Sequence, residues 1–93
     1  KFLGGATVAE LTPGLREDMR IDPKVQGVVV TGVASNSEAA GTGLRPGDVV
    51  LSINGKPTRT IDDFKRVVAG LKGMKMSISL YRQGAVMNLT IIR

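Results

Sequence analysis

Candidate catalytic groups are few in this chain of 93 residues. It contains no histidine and no cysteine, so a Ser–His–Asp triad, a Cys–His pair and a zinc site built from His and Cys are all excluded. A Ser–Lys dyad is conceivable, but no serine–lysine spacing singles one out. The neighbouring carboxylates of Asp62 and Asp63 suit the first turn of a helix, where the helix dipole favours negative charge. We therefore expect no catalytic residue, no metal site and no cofactor in this chain.

The charge of the chain is the next chemical signal. The formal net charge is +5, and the densest basic grouping is Lys65, Arg66, Lys72 and Lys75. No basic run and no stacking aromatics accompany this charge, so we do not expect nucleic-acid binding. A solvated helix face explains the grouping, and a mild preference for acidic or carboxylate-bearing ligands stays open. No apolar run approaches the ~20 residues that span a bilayer, so membrane insertion is not expected either.

Short elements separated by glycine-rich turns must position whatever chemistry the chain has. Apolar alternation or β-branched runs predict strands, and N-caps such as Thr12 before Pro13 predict helix starts. A capping box at Ser35–Glu38 predicts a very short helix there. The predicted strands are residues 6–11, 27–33 and 49–53 and a hairpin at 76–92 turning at Gln83-Gly84, and the predicted helices are 13–20, 38–42 and 61–71.

The longest predicted helix carries one apolar stripe. Thr60 is its expected N-cap, and Ile61, Phe64, Val68 and Leu71 recur with a period near 3.6, together with Val67. The element order β-α-β-α-β-α-β-β is not a series of regular βαβ units. It predicts a single domain over residues 1–93 that is mainly β with two helices beyond the short turn at 38–42: a partly open, mostly antiparallel barrel or sandwich with one helix against its mouth.

Residues 43–55 read GLRPGDVVLSING. This run resembles the central signature of PDZ domains, of the form G-L-x-x-G-D-x-φ-x-x-φ-N-G. The preceding ASNSEAA of residues 34–40 is similar to the small helix of the family, usually S-P-A-A, with Glu38 where proline is common. The resemblance covers essentially the whole chain and implies the PDZ-like fold.

The order of elements narrows the resemblance. A glycine-rich loop and strand, the stretch LTPGL at residues 11–15 and a terminal hairpin are similar to the permuted bacterial arrangement of the HtrA (DegP/DegQ) periplasmic serine proteases, and most of all to their second, C-terminal PDZ domain. The start at Lys1 without a methionine fits a piece of a longer chain. A PDZ domain from another parent, such as an intramembrane metalloprotease or a secretion-system component, is the alternative.

The resemblance implies a site for an extended peptide. The strand at 6–11 would be a sheet edge to which a peptide adds by main-chain hydrogen bonds, with pockets for alternate side chains. The opposing wall would be the helix, where Ile61, Lys65 and Val68 share one face. The alternative is that the apolar stripe of this helix only packs against the core and contacts no ligand. The implied peptide-binding residues are Leu3, Gly4, Gly5, Ala6, Thr7, Val8, Ile61, Lys65 and Val68.

The loop before that strand would receive the ligand terminus. Consecutive N–H groups in a glycine-rich turn form a nest for a carboxylate, and glycine permits the positive φ that this needs. Gly5 stands where the family usually has a large apolar residue, which shifts the register by one or shrinks the pocket. The alternative is that this loop binds no ligand and is only a flexible connection into the strand.

Two functional hypotheses follow from the resemblance. The first is a module that recruits unfolded or C-terminal polypeptide segments for a periplasmic protease, whose separate domain carries the catalytic residues. The second is a structural module that contacts the protease domain and neighbouring subunits in an oligomer, with little peptide binding of its own.

Overall fold

The fold is taken from a computed structural model, which describes residues 5–18, 20–22, 24–70 and 75–92. These residues contain six strands and three helices. The strands are β1 (Ala6–Glu10), β2 (Val28–Val33), β3 (Val49–Ile53), β4 (Lys56–Pro57), β5 (Lys75–Arg82) and β6 (Ala85–Ile92). The helices are α1 (Pro13–Asp18), α2 (Glu38–Thr42) and α3 (Ile61–Ala69).

All strand pairings in the described residues are antiparallel. The sheet runs in the order β1-β2-β3-β5-β6, and the two-residue β4 pairs with β3 beside this path. β1 and β6 therefore lie at the two edges of an open sheet. This confirms the predicted mainly-β, mostly antiparallel, PDZ-like fold.

The hydrophobic core lies on one face of the sheet. The register places Val28 opposite Val50 and Val50 opposite Leu80, so these three side chains point to the same side. Phe64 of α3 packs into this cluster and is fully buried. The core is aliphatic apart from Phe64, as the scarcity of aromatic residues requires.

A second buried layer covers the other face of β2 and β3. Val29 pairs with Val49, and both are almost completely buried although neither belongs to the main core cluster. Ile21, which follows α1, is buried as well. The continuous apolar run of β2 thus has a structural reason at Val28, Val29 and Val30, because both faces of the strand are covered there.

The helix starts follow local capping. The Thr12 hydroxyl accepts the N–H of Leu15 at 3.2 Å, and the Thr60 hydroxyl accepts that of Asp63 at 3.0 Å, as predicted. The predicted capping box at Ser35 is wrong. α2 begins at Glu38, and it is the Ser37 hydroxyl that accepts the N–H of Ala40 at 3.1 Å.

The described part of α1 runs from Pro13 to Asp18, within the predicted 13–20, and Met19 lies outside the described residues. Arg20 adopts a left-handed conformation with φ 53°. The N–H of Ile21 then donates to the carbonyl of Arg16 at 2.9 Å, a closure typical of helix C-termini. No helix in the described ranges is long and apolar enough to cross a membrane.

Candidate functional site

The free edge of β1 lies beside α3. β1 pairs with β2 on one side only within the described residues, and α3 contacts β1. A Glu10 carboxylate oxygen accepts the main-chain N–H of Ile61 at 2.7 Å, which ties the end of β1 to the start of α3. A sheet edge and a helix thus form the two walls of a candidate groove.

The predicted helix residues divide between the core and this wall. Phe64 is fully buried, whereas Ile61 and Val68 are half-buried and pack against the edge of the core. Lys65 is exposed. The wall therefore combines two partly accessible apolar side chains with one ammonium group. Leu71, also predicted to face the core, lies outside the described residues.

The predicted strand residues alternate in exposure. Ala6 is fully buried and Val8 is 8% exposed, whereas Thr7 and Glu10 are exposed. Ala6 thus has no accessible atom, so a guest strand that pairs with this edge would begin at Thr7.

The loop before β1 has a steric reason for its glycine. Gly5 has φ +109°, and a Cβ built on it would lie 2.5 Å from the Cβ of Ser37 and 2.9 Å from its hydroxyl. The Gly5 carbonyl accepts the N–H of Ala34 at 3.0 Å. The departure from the large apolar residue of the family thus follows from close packing against the start of α2. Leu3 and Gly4, predicted to belong to the site, lie outside the described residues.

Two residues that hold these walls in place were not identified from the sequence. Glu10 joins β1 to α3 across 51 positions, and no local pattern marks such a partner. The side chain of Ser37 lies against Gly5, and its hydroxyl donates to the carbonyl of Ala34 at 2.6 Å. The only sequence signal for Ser37 was a serine directly before a short helix.

The aspartate of the GLRPGD run has a structural role. Asp48 is buried, and its carboxylate accepts the N–H of Arg45 at 2.9 Å and the Arg82 guanidinium through Nε at 2.7 Å and Nη2 at 2.6 Å. Arg82 also donates to the carbonyl of Gly43 at 2.7 Å. Hydrogen bonding to Asp48 raises the pKa of Arg82 above its ordinary value, against the opposing effect of burial. This network locks the turn before β3 to the end of β5, away from the groove.

No group of three His, Cys, Asp or Glu side chains within the described part of the chain could hold a metal ion. The groove therefore offers main-chain hydrogen bonds, apolar contacts and one ammonium group. These are means of recognition, and the same edge-and-helix arrangement is suited to an extended polypeptide.

Comparisons with known proteins agree with this geometry. A family model described as PDZ domain matches residues 29–82. A probable periplasmic serine endoprotease, DegP-like, of Pseudomonas putida is 39% identical over 88 residues, which are 94% of this chain and 18% of that protein. DegP of Escherichia coli is 33% identical over 88 residues, with the same coverage of 94% and 18%. The chain spans 10% to 18% of the length of the curated relatives that it matches.

Solved structures give the same assignment. The HtrA-type protease AlgW, solved with a decapeptide, is 35% identical with a TM-score of 0.80, and the match covers 97% of this chain and 28% of that one. The HtrA3 PDZ domain, bound to a phage-derived ligand (FGRWV), has a TM-score of 0.79 over 99% of this chain and 84% of that one; at 24% identity it supports the fold alone. The chain belongs to the PDZ domain family, and its match is to the PDZ domains of HtrA/DegP-type serine proteases.

Proposed function

We propose that residues 1–93 form a single PDZ domain that binds an extended segment of another polypeptide by adding it as a strand to the free edge of β1. The observation that carries the proposal is that this edge has one strand partner and lies beside the partly apolar face of α3. The related AlgW protease has been solved with a decapeptide, which supports a peptide as the ligand class.

Each wall has a separate task in this proposal. The main chain from Thr7 to Glu10 pairs with the guest strand and supplies affinity that does not depend on its sequence. Ile61 and Val68 contact alternate side chains of the guest. Lys65, which is exposed, attracts an acidic side chain or a terminal carboxylate. The interface is small, so we expect affinity of roughly micromolar dissociation constant.

The loop of Leu3, Gly4 and Gly5 is proposed to receive the carboxyl terminus of a ligand through main-chain N–H groups. Because Gly5 has no side chain, it adds no apolar contact to the first pocket, and we expect the loop to hold the terminal carboxylate less tightly than a loop with a large apolar residue there.

The proposed context is a longer periplasmic serine protease. Its separate catalytic domain cleaves substrates, and this domain, the second and C-terminal PDZ domain of such a chain, recruits unfolded or mis-assembled proteins to it. The names of the DegP relatives and their greater length support this context.

A structural role is the second candidate, and one observation favours it. Ala6 is fully buried and Gly5 packs closely against Ser37, so the start of β1 is already covered by other parts of the domain. A module of this kind contacts the protease domain or neighbouring subunits through its outer surface and binds free peptides weakly or not at all.

Titration with matched peptides separates the two candidates. We would measure binding of a peptide library by fluorescence anisotropy, using each sequence with a free carboxyl terminus, with an amidated terminus and as an internal segment. Val68→Glu in the groove has a matched control in Val86→Glu, because Val86 is 66% exposed on β6. We expect Val68→Glu to weaken binding by about tenfold, near 1.4 kcal/mol, and Val86→Glu to leave it within about twofold.

Lys65→Glu provides a second groove variant at an exposed position, and thermal unfolding of each variant verifies its fold. Peptide recruitment is rejected if no peptide binds the folded wild-type domain, or if both valine variants bind equally well. If Val68→Glu then disrupts assembly of the full-length protein, the structural role is supported instead.

A further inference from the structure

A second concave surface lies away from the groove. It is a cleft of about 530 Å³ formed by Arg20 and Ile21 after α1, by the turn at residues 45–48 and by the hairpin at 81–84. None of the predicted groove residues that the structure describes lines it. Its volume lies within the range of sites that hold a ligand.

The cleft carries uncompensated positive charge. Its lining contains three guanidinium groups, those of Arg20, Arg45 and Arg82, and one carboxylate, that of Asp48. The bidentate pair between Asp48 and Arg82 neutralises both of these groups. Arg20 and Arg45 are exposed, and neither forms an ion pair with any other residue that the structure describes. Two positively charged residues from separate loops thus line one space.

Two of the residues that line the cleft have a left-handed backbone. Four non-glycine residues in the described ranges have positive φ: Arg20 (53°), Asn36 (60°), Asn54 (51°) and Gln83 (48°). Asparagine adopts this conformation readily, whereas arginine and glutamine do so at a cost in free energy. Arg20 and Gln83 both line the cleft, and the two asparagines do not. Arg20 follows the end of α1 and Gln83 turns the β5–β6 hairpin, so the positive φ of each has a backbone role.

We propose that this cleft binds carboxylate groups of an acidic polypeptide segment. The planar guanidinium matches a carboxylate through two parallel hydrogen bonds, and the positive field of Arg20 and Arg45 draws acidic side chains to the cleft. The space far exceeds that of one inorganic oxyanion, since a water molecule takes about 30 Å³. Apolar surface from Ile21, Pro46 and Tyr81 contacts the stems of such side chains. This inference does not depend on peptide binding at β1.

The test uses a tetrapeptide of alternating Asp and Glu with an acetylated N-terminus and an amidated C-terminus, so that it has no terminal carboxylate for the groove. The isotope-labelled 93-residue chain would be titrated at low salt with this peptide and, separately, with inorganic phosphate. Amide resonances of Gly47 and Gly84 report on the cleft, and those of Thr7 and Val68 report on the groove. We expect saturable shifts at the two glycines with the peptide and a weaker response to phosphate. The shifts at the glycines should persist in Lys65→Glu, which removes the ammonium group of the groove, whereas any shifts at Thr7 and Val68 should not.

Arg20→Gly and Arg45→Gln each remove one cleft charge, and each is expected to weaken peptide binding by about three- to tenfold. Arg20→Gly should not lower the thermal midpoint, because it relieves a left-handed arginine. Lys56→Gln is the charge-matched control: it lies on β4, which pairs with the far end of β3 from the cleft, and should change binding by less than about twofold.

Four results would overturn the proposal: no shift at Gly47 and Gly84, phosphate binding without peptide binding, unchanged binding by both folded arginine variants, or an equal loss with Lys56→Gln. The first two results would refute the proposed ligand, and the last two would refute the proposed role of Arg20 and Arg45. If Arg20→Gly fails to fold, Arg45→Gln alone decides, because no contact of its side chain supports the fold in the described structure.

Discussion

The Glu10 carboxylate accepts the N–H of Ile61 at 2.7 Å and so joins the last residue of β1 to the first residue of α3. The first N–H groups of a helix have no partner within the helix, and a negative charge there is favoured by the helix dipole. One side chain thus satisfies a helix terminus and fixes the spacing between a sheet edge and its neighbouring helix. The width of the candidate groove depends on this contact.

Replacing Glu10 should loosen the groove more than it destabilises the domain. We expect Glu10→Ala to lower the free energy of unfolding by about 0.5–1 kcal/mol, since the bond is exposed and charge-assisted. Peptide affinity should fall about threefold, because a smaller fraction of molecules holds both walls in place. Glu10→Gln keeps an acceptor oxygen, so its stability and its peptide affinity should lie between those of the wild type and of Glu10→Ala. Urea denaturation and peptide titration measure these effects, with the exposed Glu17→Ala as the control; equal effects of the Glu10 and Glu17 substitutions would refute this role.

Gly5 should tolerate no side chain. Gly5→Ala places a Cβ against Ser37 and forces a left-handed alanine, so we expect a loss of about 2–3 kcal/mol in the free energy of unfolding. Gly14→Ala is the matched control in α1, where the nearest atom is 4.0 Å from the added Cβ and stability should be unchanged or higher by up to about 1 kcal/mol. Equal stability of Gly5→Ala and the wild type in urea denaturation would show that the packing of Gly5 on Ser37 is not fixed in solution.

The Asp48–Arg82 pair should contribute more to stability than the exposed pair on α3. Arg82→Met leaves the buried Asp48 carboxylate without its partner, and we expect a loss of about 3 kcal/mol. Arg66→Met removes an exposed pair with Asp63, with N–O separation 3.7 Å, and should cost less than about 0.5 kcal/mol. A double-mutant cycle of Asp48→Asn and Arg82→Met should give a coupling of about 1–2 kcal/mol. A coupling near zero would contradict the network.

The contribution of Arg82 should not vary with pH near neutrality. The pKa of Arg82 is raised in the folded state by its hydrogen bond to Asp48. A group with a raised folded pKa stabilises the fold fully below its unfolded pKa and loses this effect only as the pH rises beyond it. The stability difference between wild type and Arg82→Lys, measured by denaturation from pH 6 to pH 9, should therefore have no slope that arises from titration of Arg82. A steep slope at that residue would be inconsistent with the pair.

Much of the fold was predictable because local sequence patterns determine it. The alternation of Met76, Ile78 and Leu80 with polar residues predicted β5, and the Asn54-Gly55 and Gln83-Gly84 turns adopt the positive φ at both positions that tight hairpins require. The 3.6-residue period predicted α3, with Phe64 in the core. The predicted capping box at Ser35 fits the Ser-x-x-Glu spacing and residue types, and only the observed hydrogen bond from the N–H of Ala40 assigns the cap to Ser37.

The site was less predictable than the fold for physical reasons. The Glu10–Ile61 bond joins residues 51 positions apart, and the reason for Gly5 lies in Ser37, on another element. The left-handed Arg20 has no sequence signal, because arginine is not a residue type associated with that conformation. All nine assignments to peptide binding stay predictions: Leu3, Gly4, Gly5, Ala6, Thr7, Val8, Ile61, Lys65 and Val68.

The most direct test of the account is amide hydrogen exchange of β1 together with cross-strand NOEs, measured with and without a bound peptide. If the guest chain joins the sheet, its main-chain protons give NOEs to Thr7, Val8 and Ala9, and amides of this strand that face away from β2 become protected. If a peptide binds while β1 shows neither NOEs nor added protection, strand addition at this edge is wrong.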